Sequence, residues 1–255
     1  MIQFRGEHAL VTGANRGIGA AVARKLATAG ADVTMMVRTK ASATTLADEL
    51  GALGVRVNIV EADITDGDAV RAACAAAVEG LGPVTILINN AGTATSAPFL
   101  KSGPHLFEEM LVMHLRAPVL ISQAVLPAML ARGAGRIVNV ASIAGLQGGP
   151  YISAYASAKH AMVGLTRALA AEYRDKGVTV NAVCPGYVDT QLVSGAMERI
   201  TTKTGLSSQK ALAAMLRDAG QTRLVTTDEV AEAVLAYCDP ASRTTGEARA
   251  LMGAP

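Results

Sequence analysis

Short apolar runs alternate along this chain with longer segments in which apolar residues recur every three or four positions. The runs have the length of strands, and the longer segments have the spacing of helices that bury one face. This alternation predicts a doubly wound α/β fold, in which helices cover both faces of a parallel sheet. The predicted strands occupy residues 8–12, 33–37, 55–61, 84–89, 136–140 and 178–183.

Two segments interrupt the regular alternation. Residues 105–131 have a helical pattern that contains Pro118 and Pro127, so we expect a kinked helix. Residues 188–224 are more polar and contain no strand pattern, which predicts a mobile lid over a substrate site. No linker, repeat or low-complexity segment divides the chain, and we therefore expect residues 1–255 to form a single domain.

Composition and charge narrow the classes of partner. Apolar residues make up 51% of the chain and aromatic residues 3%, and the net charge is +2 without a basic cluster. These values argue against nucleic acid and anionic membranes as partners. We find neither the apolar core of a leader peptide nor an apolar run of membrane-spanning length, so we expect a cytoplasmic protein. Three widely spaced cysteines (Cys74, Cys184, Cys238) favour reduced thiols over disulfides or a metal site.

A glycine-rich turn, Gly13 to Gly19, lies between the first predicted strand and the first predicted helix. Glycines let a backbone approach a pyrophosphate, and the N–H groups and positive dipole end of the following helix favour its charge. The spacing G-x3-G-x-G differs from the G-x-G-x-x-G pattern of longer dinucleotide-binding domains. A generic glycine turn is the alternative interpretation.

The end of the second predicted strand indicates which dinucleotide would bind. Sites that select NAD place a carboxylate there to bind the ribose 2′-hydroxyl. This chain has Val37 at that position, followed by Arg38, and Arg16 in the glycine turn adds a second cation. Positive charge suits a 2′-phosphate, so the pattern favours NADP(H). A solvated Arg38 is the alternative.

Polar residues follow two further strands. Asp63 and Ile64 come after the third strand, and the segment 89–92 (Asn-Asn-Ala-Gly) comes after the fourth. Ligands of open α/β sheets bind at the carboxyl ends of the strands, where both segments should lie. Each segment alone could reflect turn formation, since Asp, Asn and Gly favour turns.

The candidate chemistry lies in Ser142, Tyr155 and Lys159. Tyr155 and Lys159 are four residues apart in a helical pattern, so both side chains emerge on one face, and Ser142 follows the fifth strand. A free phenol has a pKa of about 10, and a nearby lysine cation would lower it. Tyr155 is therefore predicted to exchange a proton with a carbonyl oxygen that Ser142 holds. An exposed Tyr-Lys pair on a helix surface is the alternative.

Taken in order, these motifs resemble the short-chain dehydrogenase/reductase family over about residues 6–240. The residues that carry the resemblance are Thr12, Gly13, Gly17, Ile18, Gly19, Asp63, Asn89 to Gly92, Ser142, Tyr155, Lys159, Pro185, Gly186 and Thr190. The resemblance implies a Rossmann-type sheet of seven parallel strands in the order 3-2-1-4-5-6-7. It also implies a homotetramer, or a homodimer, as the active form.

The resemblance further implies an oxidoreductase that uses NADP(H) to interconvert a small-molecule ketone and a secondary alcohol. Ser142, Tyr155 and Lys159 would be catalytic, with Lys159 also holding the nicotinamide ribose. The residues expected to bind the cofactor are Gly13, Asn15, Arg16, Gly17, Ile18, Gly19, Arg38, Thr39, Asp63, Ile64, Asn90, Ala91, Gly92, Tyr155, Lys159, Pro185, Gly186, Val188 and Thr190. Segment 155–190 is similar to that of acyl-thioester and polyketide ketoreductases and of hydroxybutyrate dehydrogenases, and a 3-oxoacyl thioester is the best candidate substrate.

Two features depart from the family pattern. His114 stands where the family often has an asparagine that supports a water relay to the lysine, so it is a candidate catalytic residue or a structural replacement. With an ordinary pKa near 6.5, a relaying imidazole would titrate in the working range. The chain also lacks the Gly-Gly usual near the last strand, which predicts a short or atypical strand before Pro255. Another small ketone or 3-hydroxy acid as substrate, and an inactive cofactor-binding subunit, stay open as alternatives.

Overall fold

The computed structural model describes residues 2–253 and contains one seven-stranded parallel sheet. The strands are β1 (His8–Thr12), β2 (Asp32–Val37), β3 (Val57–Glu61), β4 (Ile86–Asn89), β5 (Gly135–Val140), β6 (Val178–Pro185) and β7 (Ala248–Leu251). Their order is β3-β2-β1-β4-β5-β6-β7, and every neighbouring pair is parallel. The predicted fold class and strand order are confirmed.

Helices cover both faces of this sheet. They are α1 (Gly17–Thr28), α2 (Thr44–Gly51), α3 (Gly67–Leu81), α4 (Pro104–Leu111), α5 (Ala117–Arg132), α6 (Ser153–Tyr173), α7 (Gln191–Thr204), α8 (Ser208–Asp218) and α9 (Thr227–Cys238). One core packs α1, α2 and α9 against the sheet, and a second packs α3, α5 and α6 against the other face. Because both faces are covered, β1, β5 and β6 are buried at every position, which explains why apolar residues occur on both faces of these strands.

The long helical segment between β4 and β5 bends at a π-helical turn. Residues Val112–Arg116 form this turn between α4 and α5. The kink was expected at Pro118 and Pro127, but the irregular turn precedes Pro118, and Pro127 lies inside α5. Pro118 has no N–H to donate to the carbonyl of His114, so regular α-helical bonding cannot run through this point.

One stretch departs from the expectation that the chain has no membrane-length apolar segment. The helical residues Pro104–Arg132 are long and apolar enough to cross a membrane by length and composition alone. Part of the stretch is buried: Ile121, Val125 and Met129 of α5 pack in the second core. A core helix passes the same test, so this feature assigns no membrane location.

The segments after β6 complete the edge of the sheet. The region predicted to be a lid forms α7 and α8, and Val188 makes an isolated parallel bridge with Val225. Strand β7 has only four residues, in agreement with the short last strand expected from the sequence. Residues 254–255 of the unusual tail lie outside the described part of the chain.

Candidate active site

Ser142, Tyr155 and Lys159 lie together at the carboxyl end of β5. Ser142 caps the short 3-10 turn Ile143–Gly145, where its Oγ accepts a hydrogen bond from the backbone N–H of Ala144 at 3.1 Å. This turn packs close to α6, since a Cβ placed on Gly145 would come within 2.7 Å of the Lys159 carbonyl oxygen. Ser142 lies close enough to the Tyr155 side chain to lower the pKa of its phenol. Glycine at position 145 therefore allows the serine to approach the Tyr-Lys face.

Lys159 is a buried cation. Its side chain is 4% exposed, and its Nζ donates a hydrogen bond of 2.9 Å to the carbonyl oxygen of Val140. The Nζ lies 5.8 Å from the centroid of the Tyr155 ring. Burial lowers the pKa of Lys159 to about 8. The ammonium form therefore predominates at neutral pH and is lost in mildly alkaline solution.

The acidity of Tyr155 differs from the sequence-based expectation. Burial raises the pKa of its phenol to about 12, and Ser142 only partly opposes this rise. The expectation that Lys159 would lower the pKa is therefore not met in the protein by itself, because Lys159 is buried with the phenol and donates to Val140. The protein holds Tyr155 protonated, which suits it to donate a proton to a carbonyl oxygen.

His114 packs against Tyr155 from the π-helical turn. The two ring centroids are 5.4 Å apart at an interplanar angle of 83°. Nε2 of His114 lies 2.7 Å from the carbonyl oxygen of Thr93, and because a carbonyl only accepts, Nε2 carries the proton. Burial, together with the charge of Lys159, lowers the pKa of His114 to about 3. The assumption of an ordinary imidazole pKa was wrong, since the ring is 1% exposed.

The glycine-rich turn packs closely against itself and against the segment after β4. Gly13 has a φ of +63°, and a Cβ on it would lie 3.0 Å from the Cα of Ala91. A Cβ on Gly19 would collide with the carbonyl oxygen of Gly13 and lie 2.5 Å from the Nδ2 of Asn90. The first turn of α1 contains no acidic side chain. The turn therefore fits the pyrophosphate of a dinucleotide.

Thr12 joins this turn to the segment after β4. Its hydroxyl accepts hydrogen bonds of 2.9 Å from the backbone N–H groups of Asn90 and Ala91. The Asn90 side chain donates in return to the carbonyl oxygen of Thr12 at 2.9 Å. The structure thus brings together the glycine turn and the segment after β4.

The end of β2 presents a cation rather than a carboxylate. Val37 is buried, whereas Arg38 and Thr39 are exposed at the sheet edge. Ser42, which the sequence interpretation did not identify, accepts a hydrogen bond from the Asn15 side chain at 3.1 Å and donates to the carbonyl of Thr39 at 2.6 Å. These contacts join the glycine turn to the Arg38 segment, so the residues present fit a 2′-phosphate.

Asp63 takes part in a local turn beside this region. Its carboxylate accepts hydrogen bonds from the backbone N–H and hydroxyl of Thr65, at 2.9 Å and 2.7 Å. The Thr65 hydrogen bonds, and more weakly the charge of Arg38, lower the pKa of Asp63. Turn formation explains an aspartate here, while the effect of Arg38 shows that Asp63 belongs to the same cluster. Ile64 is half-buried next to it.

The segment after β6, residues 185–190, is held by a glutamine that no sequence motif identified. Gln221 is 5% exposed, and it accepts a 2.7 Å hydrogen bond from the Tyr187 N–H while donating to the Tyr187 carbonyl at 3.3 Å. A side chain on Gly186 would collide with Gln221. No local sequence pattern could have identified this contact, because 34 residues separate Gln221 from Tyr187.

The same segment returns to the glycine turn. A Cβ on Gly17 would lie 3.4 Å from Cγ2 of Thr190, the residue that precedes α7. The side chain of Arg16 donates a 3.0 Å hydrogen bond to Gln191, the first residue of α7. Arg16 therefore contacts the predicted lid, and the glycine turn lies against the segment that leads into α7.

Cys184 was expected only to pack, but it lies inside this cluster. Its thiol is fully buried, and burial raises its pKa to about 11, against the influence of Ser142 and Lys159. A neutral thiol contributes packing beneath the catalytic candidates. No group of three metal-binding side chains occurs among the described residues. The arrangement suits proton donation to a substrate oxygen beside a dinucleotide.

Comparisons with known proteins agree with this geometry. The sequence model of the family described as short chain dehydrogenase matches residues 7–200. A Streptomyces violaceoruber protein, named as a candidate ketoacyl reductase of the granaticin polyketide synthase, is 36% identical over 249 residues, or 96% of this chain and 91% of the relative.

Two solved structures are similar over nearly their whole length. A single-residue variant of actinorhodin polyketide ketoreductase with NADPH has a TM-score of 0.91 and 35% identity, covering 97% of this chain and 96% of that one. The L-sorbose reductase of Gluconobacter frateurii, complexed with NADPH and L-sorbose, has a TM-score of 0.91 and 27% identity, covering 99% and 97%.

Proposed function

The chain belongs to the short-chain dehydrogenase family, and we propose that it is an NADP(H)-dependent ketoreductase whose catalytic residues are Ser142, Tyr155 and Lys159. The observation that carries the proposal is the convergence of these side chains beside the glycine-rich turn. When bound, the reduced cofactor supplies a hydride to the carbonyl carbon of the substrate. Tyr155 donates the proton that the carbonyl oxygen then requires, and Ser142 holds that oxygen.

Lys159 supports this step in two ways. Its ammonium group lies beside the Tyr155 ring and favours the phenolate that proton donation leaves behind. The same group can hold a ribose hydroxyl of the cofactor. His114 is a positioning residue in this proposal, because its neutral ring packs edge-on against Tyr155.

The proposed preference for NADPH over NADH rests on Val37 and Arg38. A charge-assisted hydrogen bond to the 2′-phosphate contributes about 1.5–3 kcal/mol, which corresponds to roughly ten- to a hundredfold in affinity. Changing Val37→Asp together with Arg38→Ile should reverse the ratio of kcat/KM for the two cofactors. Arg38→Ile alone should weaken NADPH use without improving NADH use. Wild-type protein that works better with NADH would contradict the assignment.

For the substrate we propose a 3-oxoacyl thioester, bound to a carrier protein or to coenzyme A. The names of the granaticin and actinorhodin relatives support this class. Large apolar side chains are exposed on segments that follow the carboxyl ends of β4, β5 and β6: Phe99, Leu100, Tyr151 and Leu192. An apolar rim at this edge suits an acyl chain more than a sugar.

Tyr151 is distinctive within this rim. It has a φ of +65°, and its carbonyl oxygen accepts a 2.8 Å hydrogen bond from the N–H of Ala97. A bulky residue at positive φ costs on the order of 1 kcal/mol, and such strain is concentrated at functional sites. The contact ties the loop before α6 to the segment that carries Phe99.

The substrate proposal is tested with a panel of ketones and purified protein. NADPH oxidation should be fastest with 3-oxoacyl thioesters, and kcat/KM should rise with acyl chain length if the apolar rim binds the chain. Faster reaction with L-sorbose or a small diketone would favour the alternative, a reductase of another small ketone or 3-hydroxy acid. NADPH binding without turnover of any substrate in the panel would favour an inactive partner subunit.

Assembly and location are proposed from the family alone. We expect a homotetramer, or a homodimer, in the cytoplasm, with α7 and α8 acting as a lid over the substrate. Light scattering of the purified protein measures the assembly directly. A fully active monomer would show that the proposed oligomer is not the active form.

A further inference from the structure

A cavity of about 290 Å³ lies at the opposite end of the sheet from the active site. The residues that line it are Arg174, Gly177, Thr179, Arg243 and Thr245. Thr179 is six residues before Pro185 on β6, which corresponds to about 20 Å of extended strand. The cavity is therefore separate from the edge that binds cofactor and substrate.

Positive charge is concentrated around this cavity. Arg174 and Arg243 are exposed, and neither forms an ion pair with a carboxylate of residues 2–253. Arg136 is 6% exposed and reaches the carbonyl of the lining residue Gly177 at 3.4 Å. Burial, and then the charge of Arg243, lowers the pKa of Arg136. Arg136 and Arg243 are thus close enough for their charges to repel each other.

Arg136, the buried member of this group, forms no direct ion pair with a carboxylate of the described residues, although Glu7 and Asp239 lie close enough to favour its charge. Arg136 donates to main-chain oxygens, including the carbonyl of Pro240 at 2.8 Å. Buried cations in proteins are usually paired with an anion. An anion in the cavity would offset the repulsion between Arg136 and the lining residue Arg243.

A buried threonine in the cavity wall is a further feature of this region. Thr179 is 6% exposed, and its Oγ1 has no hydrogen-bond partner in the part of the chain that the structure describes. A buried hydroxyl without a partner is destabilising, and such groups are rare. Thr179 pairs in register with Arg136 on β5, so the two residues are neighbours across the sheet.

We propose that this cavity binds a phosphate group, either inorganic phosphate or a small phosphate monoester, through Arg174, Arg243 and Thr179. Three side chains from separate segments can donate to the three terminal oxygens of a phosphate monoester, whereas a carboxylate has only two oxygens. The volume is at the lower limit of small-molecule pockets, so the organic part of the ligand is small.

The test is calorimetric titration of phosphate into the full-length protein at constant ionic strength. Because phosphate can also occupy the glycine-rich turn, the titration is done with and without saturating NADPH. We expect one phosphate site to persist in the presence of NADPH. Arg174→Gln combined with Arg243→Gln should weaken binding at this site at least tenfold, with or without NADPH, so the result does not depend on the proposed function.

Two further variants make the test specific. Arg5 is an exposed arginine without an ion pair among residues 2–253, so Arg5→Gln controls for loss of charge and should bind phosphate as the wild type does. Thr179→Val keeps the shape and removes the unpartnered hydroxyl. It should leave the free protein at least as stable, yet weaken phosphate binding several-fold. The rate of NADPH oxidation should be unchanged in all these variants.

Comparing inorganic phosphate with glycerol 3-phosphate identifies the source of the group, and glycerol is the negative control. Tighter binding of the ester indicates a metabolite, while equal affinity indicates phosphate itself. Phosphate binding that is lost when NADPH is present, or that is equal in wild type and in the double arginine variant, would overturn the proposal.

Discussion

The two halves of the sheet edge are built in different ways. In the half formed by β1, β2 and β4, main-chain atoms shape the cofactor site, and glycines at positions 13 and 19 make the close approaches possible. In the half formed by β5 and β6, buried side chains form the site, with Lys159 and Cys184 at most 4% exposed. The shape of the first half depends on the absence of side chains at its glycines, whereas the chemistry of the second half depends on how burial changes the pKa values of its ionisable groups. Substitutions should therefore affect cofactor binding in one half and turnover in the other.

The largest expected effect is on the side-chain half. Tyr155→Phe keeps the ring and removes the proton, so kcat should fall about a hundred- to ten-thousandfold while NADPH affinity changes little. Stopped-flow turnover and fluorescence titration of NADPH measure the two quantities. Tyr173→Phe, near the end of the same helix, is the matched control. Full turnover by the Tyr155→Phe variant would remove Tyr155 from the mechanism.

The next effect concerns the main-chain half. In Gly19→Ala, the added Cβ would collide with the carbonyl oxygen of Gly13, so the turn must shift and NADPH should bind at least tenfold more weakly. Gly164→Ala is the control, because Gly164 lies in the exposed face of α6 with open space around it. That change should stabilise the helix by about 1 kcal/mol. Equal NADPH affinity in wild type and in the Gly19→Ala variant would contradict the backbone-built site.

Lys159 connects the halves, since it contacts the tyrosine and is proposed to bind the cofactor ribose. Lys159→Met keeps most of the buried chain but removes the charge, so turnover and NADPH affinity should each fall about tenfold. With the Lys159 pKa at about 8, kcat/KM for reduction should decline above pH 8 in the wild type, and this decline should be absent in the variant. Lys25→Met, at an exposed ion pair, is the control. A change in only one of the two quantities would refute the double role.

The same contrast explains what could be predicted from the sequence. The parallel sheet followed from the alternation of elements and the strand order from the family resemblance, and β1 was predicted at its observed limits. The glycine turn was predictable because main-chain segments that approach this closely leave no space for a side chain, so glycine is required there. The contact between Gln221 and Tyr187 and the position of the π-helical turn depend on packing between distant segments, which no local pattern records.

Ionisation was the least predictable property. The sequence placed Tyr155 beside Lys159 but could not give their depth, and depth reverses the expected direction of the tyrosine pKa. The lowered pKa of His114 has the same cause, since an imidazole that is 1% exposed cannot hold a charge at neutral pH. The sequence thus identified the residue types of the site, but their pKa values could be judged only once the fold showed how deeply each side chain is buried.

The smallest expected effect on catalysis concerns His114. Because its pKa is lowered to about 3, the ring stays neutral from pH 5.5 to 7.5, and His114→Asn should leave the shape of the kcat profile unchanged in that range. A changed shape would show that the imidazole relays protons. Stability should respond instead. Below about pH 6.5 the unfolded chain takes up a proton that the folded protein does not, so stability is lost as pH falls.

The His114 contribution can be isolated by comparing urea midpoints at pH 7.5 and pH 5. The wild type should lose about 2 kcal/mol from this group between the two values, and His114→Asn should remove that part of the loss. His105→Asn is the comparison variant for the loss of a histidine from the surface, since the His105 side chain is 83% exposed. The change in stability between the two pH values is compared, rather than the stability at one pH, because a packing change in the variant would affect both pH values equally. Identical slopes in the wild type and the His114→Asn variant would mean that the imidazole is not held neutral by burial, and the physical account of the side-chain half would then fail at this residue.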